Sequence, residues 1–407
     1  MIQTATLDNG LRIVLDRRPG RVVYCGLGVD AGTRDQLPEE SGMAHFIEHM
    51  SFKGTRRRKA WHIINRMESV GGELNAYTGK EHTVYYCSVL RNHLSRALDL
   101  LFDITLRSTF PQRELEREVE VVCDEIESYN DSPSELIYDD FETLLFRDHP
   151  LGRNILGEAD RLHAYRTDDL LRFARRLYHP GRMVLFVLGD VKMAQVERMA
   201  ARLCDTDGAA SLLAVIREAP GALVPPPDAR IKKQTHQAHV ILGTQSYALS
   251  DSRHTALYLL NNILGGPGMN ARFNMVLRER NGLVYTVGSG LTGYTDTGLW
   301  TTYFGCDHSD VERCLRLIRR ELARLTDAPL SPAALAAAKR QLKGQLTLAW
   351  ENGENVAIGM GRRLLHQGST QTLEEMCRRV DDLTATRLWD VAQETFSERK
   401  LTTLIYS

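Results

Sequence analysis

Apolar and polar residues alternate from position 3 to 17 around Asp8-Asn9-Gly10. Alternation predicts paired strands, and Asn-Gly accepts the positive φ angles of a tight turn, so the chain opens with a hairpin. The apolar run Val22 to Val29 follows, and Ser41 then precedes Gly42-Met-Ala-His-Phe-Ile-Glu-His-Met50, which reads as a helix capped by that serine. Helical spacing returns at His62 to Val70 and at His93 to Leu106, with a strand between them at Thr83 to Leu90. Pro111 suits a first helical turn, and Leu115, Val119, Val122 and Ile126 continue from it as one apolar stripe. A strand at Met183 to Leu188 closes the first half.

The stretch Cys204 to Asp228, with Pro220 and Pro225-Pro226-Pro227, fits neither period. It predicts a domain at 1–205, a linker at 206–228 and a second domain at 229–407. After it the order recurs, with a strand at His239 to Thr244, a helix at Thr255 to Leu264, a strand at Leu299 to Gly305 and helices from Val311 and Pro332. Setting Pro111-Gln-Arg-Glu-Leu115 against Ser331-Pro-Ala-Ala-Leu335 makes the halves two copies of one α+β unit. At that offset Glu118 falls on Ala338 and Glu125 on Gln345. Any metal chemistry therefore belongs to the first half.

A chain of 407 residues, 43% hydrophobic and 25% charged, has the composition of two ordinary globular domains. Its net charge of -1 gives no electrostatic case for nucleic acid or an acidic membrane surface. The basic run Arg56-Arg57-Arg58-Lys59 reads as a solvated loop. Seven scattered cysteines with no Cys-x-x-Cys spacing read as reduced thiols. With no signal peptide or apolar span in view, the expected location is the cytoplasm.

The chemistry concentrates in His45-Phe-Ile-Glu48-His49. Four helical residues turn the chain by about 400°, so the two imidazoles project only ~40° apart and can reach one ion. Zinc accepts histidine nitrogen, and a catalytic zinc site takes three protein ligands with one position left for water. Glu48 emerges beside the pair, where a carboxylate can act as general base toward a water that zinc activates. The order His-x-x-Glu-His is the inverted form of a zinc-peptidase motif. Glu118 and Glu125, seven apart, lie on one side of the Pro111 helix next to the Val122 stripe, a placement that predicts partial burial and hence a facing cation.

With these residues the sequence resembles, essentially end to end, the insulinase and pitrilysin zinc peptidases, which include mitochondrial processing peptidase and short bacterial relatives. The resemblance implies two homologous α/β-sandwich domains, each a mostly antiparallel sheet with helices packed on it, together half of a clamshell. It makes Glu125, 76 positions after His49, the third ligand of one zinc per chain, and Glu118 a residue that assists the site. Gly71-Gly-Glu-Leu-Asn75-Ala76-Tyr77-Thr78, followed by Glu81-His-Thr-Val-Tyr-Tyr86, is similar to the family's substrate-binding edge strand, with Asn75, Ala76 and Tyr77 on the peptide. Arg278 and Tyr285, seven apart in the second half, match the family's pair that binds the substrate carbonyl. Gly265-Gly266-Pro267-Gly268 reads as a plain turn, and His62, His82, His93 and His149 as surface or core histidines.

The implied activity is endoproteolysis of short or unfolded peptides inside a closed homodimer, or a heterodimer with a paralogue. Two further readings stand beside it: a non-catalytic partner subunit, whose kind typically loses the metal ligands retained here, and a maturase dedicated to one leader peptide.

Overall fold

The computed structural model describes residues 2–204 and 217–407, which divide into two compact units. The first holds a six-stranded sheet of β1 (Ile2–Thr6), β2 (Arg12–Asp16), β3 (Val22–Val29), β4 (Glu73–Thr78), β5 (Thr83–Leu90) and β6 (Met183–Leu188), in the order β1-β2-β6-β3-β5-β4. All neighbours are antiparallel except β2 and β6. The opening hairpin is present, but pairing stops at Thr6 and Arg12, so five residues make the turn, with Gly10 at φ +86 and the Asn9 carboxamide accepting the Leu11 N–H.

Every residue of β6 is buried, which requires cover on both faces of the sheet. Met183, Leu185 and Val187 enter the core beneath α1 (Met43–Ser51), α2 (Ala60–Glu68), α3 (Leu94–Leu106) and α4 (Gln112–Asn130). Val184, Phe186 and Leu188 point the other way, against Val356, Ala357, Met360, Leu364 and Leu365 of the helix Gly353–Gln367. Gly26 and Gly361 make room for the Phe186 ring: a Cβ at either would stand under 2.5 Å from it.

The second unit holds β7 (Ala229–Ile231), β8 (Ala238–Ser246), β9 (Val284–Gly293), β10 (Gly298–Cys306) and β11 (Thr402–Tyr406), in the order β7-β11-β8-β10-β9. Only β7 and β11 run parallel. One face carries Val240, Leu242 and Ile405 into the main core, and the other sets Ile241, Leu404 and Tyr406 against Ile137, Phe141 and Leu145 of α5 (Pro133–Phe146).

The division by sequence at 206–228 differs from the division in space. Residues 128–152 belong to the second unit and 349–372 to the first. Each half of the chain contributes one helix to the other half's sheet, because a sheet with two apolar faces needs a second layer. Of the expected linker, 206–216 lies outside the described residues, Arg217 belongs to the first unit, and 218–228 joins the second.

Two local expectations are corrected. The cap of α1 is Gly42 at φ +79, where a side chain would collide with the Leu156 carbonyl, and the Ala44 N–H is taken by the Gln36 side chain rather than by Ser41. The basic run is not wholly solvated: Arg58 is enclosed and pairs with Asp99 and Asp103, while Arg56, Arg57 and Lys59 stay exposed. All seven cysteines are unpaired, and no described helix is long and apolar enough to cross a membrane.

Candidate metal centre

The apolar face of α1, carrying Met43, Phe46, Ile47 and Met50, is fully buried, which fixes the rotation of the helix. His45, Glu48 and His49 consequently emerge on its remaining side, the two imidazole rings 4.6 Å apart. The stripe Leu115, Val119 and Val122 docks α4 on the same core and brings Glu118 and Glu125 to the histidines from 69 to 80 residues away in sequence.

Glu125 straddles the pair. One carboxylate oxygen lies 3.4 Å from His49 Nε2 and the other 3.8 Å from His45 Nε2. One donor atom from each of the three residues falls within 4.8 Å of the others, the single such cluster among the described residues. Glu118, fully enclosed, accepts from His49 Nδ1 at 3.0 Å, and its second oxygen meets Lys53 Nζ at 2.5 Å. Since an ionised carboxylate only accepts, His49 donates from Nδ1 to Glu118, and its Nε2, facing Glu125, is left for a second proton or a metal ion.

Glu48, 9% exposed, takes one hydrogen bond, from Thr78 Oγ1 to Oε2 at 2.6 Å. Burial raises its carboxyl above the ordinary range, opposed by Thr78 and by His49. Burial also opposes charge on Glu118, but His49 and Lys53 outweigh it and hold that carboxyl low. Glu125, with 44% of its side chain exposed, is held low by His49. Burial works against charging His49 as well, yet Glu118 and Glu125 raise it to about 9. His45 falls to about 4 through burial and the neighbouring charge of His49.

The arrangement fits a divalent cation. Two nitrogens and a carboxylate are the donors a zinc ion takes. The 3.8 Å separation at His45 is too long for a hydrogen bond, so a buried neutral imidazole faces a carboxylate that it does not bind. Three carboxylates, Lys53 and a divalent ion would balance to zero charge.

β4 is the outer strand of its sheet, as the sequence reading places it, and lies beside α1. Leu74, Ala76 and Thr78 face the core side, while Tyr77 packs on His82 and Tyr86. The Ala76 N–H turns outward, where the Asn75 side chain accepts it. In the second unit, the Arg278 guanidinium lies 5.4 Å from the centre of the Tyr285 ring, and Tyr285, on the outer strand β9, is 80% exposed. Lys53 and the role of Thr78 were missed from sequence. Lys53 follows the end of α1 by two residues, and Thr78 shares the inward parity of Leu74 and Ala76.

Two units, each a mostly antiparallel sheet with helices on both faces and, among the described residues, only the first furnished with a histidine–carboxylate cluster, define the class. The chain belongs to the insulinase family, peptidase family M16: the family's profile matches residues 12–159, and that of the peptidase M16 inactive domain matches 166–342. YmxG of Bacillus subtilis, named an uncharacterized zinc protease, is 34% identical over 402 residues, 98% of this chain and 96% of its own. A similarly named protein of Streptomyces coelicolor is 33% identical, covering 98% and 88%. Among solved structures, a protease from Helicobacter pylori superposes with a TM-score of 0.90 at 23% identity, covering 100% of this chain and 99% of that one. A Pseudomonas fluorescens structure described as a peptidase M16 inactive domain gives 0.89 at 21%, covering 100% and 97%. Both likenesses are of fold.

In the metal-free protein His49 holds its proton up to about 9, above the ordinary histidine value of 6.5. His45 is neutral above 6.5 in the folded and unfolded chain alike, so over that window the charge on these two residues changes only at His49. Its contribution is complete below 6.5 and disappears as pH rises through about 9. Chelator-treated protein is expected to melt at falling temperature across that range, and His49→Gln to flatten the decline. An undiminished slope in the variant contradicts the assignment.

Proposed function

We propose that this protein is a zinc-dependent endopeptidase for short or unfolded peptides. The observation that carries the reading is the meeting of His45, His49 and Glu125 at one point with Glu48 beside them. In this reading the three residues hold one zinc ion per chain, and Glu118, braced by Lys53, fixes the orientation of His49. Zinc bound there supplies Lewis acidity, making a water easier to deprotonate and a peptide carbonyl easier to attack.

Glu48 takes the proton of the attacking water and returns it to the departing amine. Its raised carboxyl suits both transfers. An extended peptide adds along β4, pairing with the outward main-chain groups of Ala76 between Asn75 and Tyr77, so the backbone supplies affinity and side chains act as filters. Arg278 and Tyr285 donate hydrogen bonds to the carbonyl oxygen as charge builds on it. We assign this pair to the site of a second copy, in a homodimer whose two sites each draw on both chains. The exposed Arg278–Tyr285 pair, free to meet a partner, supports that assignment.

Glu48→Gln is expected to keep the zinc content of wild type and to lower cleavage of a fluorogenic peptide by about 10²–10⁴-fold. Normal turnover in that variant refutes the mechanism, and a wild-type chain that binds no zinc and cleaves nothing supports the partner-subunit reading instead. Mixing Glu48→Gln with Arg278→Ala, each inactive alone, restores cleavage if the sites are shared between chains. Two inactive variants that stay inactive together, in a mixture shown to exchange subunits, contradict the shared site.

A further inference from the structure

We infer that Thr78 is a positioning residue that reserves one oxygen of Glu48 and leaves the other to move the proton, an inference that rests on the catalytic reading above. Thr78 ends β4 and pairs with Thr83 across to β5. Its hydroxyl lies 2.6 Å from Glu48 Oε2 and 3.4 Å from Thr83 Oγ1, and Thr83 Oγ1 lies 2.9 Å from the Ala31 carbonyl.

Counting protons fixes the direction of every bond. The Ala31 carbonyl can only accept, so Thr83, fully buried, donates its one proton there. Ionised Glu48 also only accepts, so the single Thr78 proton goes to Oε2. At 2.6 Å this is a short, charge-assisted bond, stronger than the longer contact to Thr83. Oε1 has no hydrogen-bond partner among the described residues.

Glu48 therefore has a held oxygen and a working oxygen. When the carboxylate gains a proton at Oε1, Thr78 can keep its bond to Oε2 unchanged, so the carboxyl plane need not turn between taking the proton and delivering it. The strand proposed to carry the peptide is also the strand that holds the base. A peptide paired to β4 is thereby registered against Oε1 by the same backbone, with no mobile element between them.

The test compares Thr78→Val, which keeps shape and removes the hydroxyl, with Thr78→Ser, which keeps the hydroxyl. Thr78→Val is expected to lower kcat by about 10–100-fold, with KM and bound zinc unchanged. Thr78→Ser is expected to stay within roughly threefold of wild type. An active wild type whose kcat is unaltered in Thr78→Val, or a loss that serine does not rescue, overturns the role of Thr78 alone. A wild type without zinc or cleavage overturns the catalytic reading beneath it.

Discussion

Charge balance at the junction of α1 and α4 governs the rest of the first unit. Two imidazoles one turn apart and two carboxylates seven residues apart are brought to one small volume, and the enclosed Glu118 needs partners there to stay charged. Unpaired, an enclosed carboxylate such as Glu118 costs several kcal/mol. Lys53 and His49 offset that cost from opposite sides. The remaining carboxylate, Glu125, faces both Nε2 atoms from the open side, and together with Glu48 it leaves two negative charges that a divalent ion would balance once both imidazoles are neutral.

Such an arrangement holds only if both helices are rigidly seated, and the sheet provides the seat. Tyr85 on β5 places its hydroxyl 3.1 Å from Ser51 at the end of α1 and 3.2 Å from Tyr178, a buried polar link under the histidine helix. On the opposite face Phe186 fills the space above Gly26 and against Gly361, and the helix Gly353–Gln367 closes that layer. A segment from the far end of the chain thus stiffens the sheet that carries the site, which couples the two halves of the sequence in folding.

Much of this is visible in the sequence because it is periodic. The apolar stripes of α1 and α4, the alternation of the opening hairpin, the apolar run of β6 and the four-residue spacing of His45 and His49 are all local. Glu125 is different: its place beside the Val122 stripe separates it and Glu118 from Glu116 and Glu120, but its part as a ligand stands out only through the family resemblance and the docking of α4. The partition of 128–152 and 349–372 was not legible, because an amphipathic helix shows that it has an apolar face without showing which sheet receives it. Arg58 was misread as solvated for a similar reason, since Asp99 and Asp103 lie more than 40 residues away. The glycine cap of α1 follows from a close approach by Leu156, again a long-range fact.

The most direct test of the account is a zinc-edge anomalous difference map from crystals grown with zinc. One strong peak is expected in the first unit at about 2.0–2.2 Å from His45 Nε2, His49 Nε2 and a Glu125 oxygen. A map with no peak there, and with the Glu125 carboxylate roughly 10 Å from the imidazoles, beyond reach of a shared ion, would contradict it.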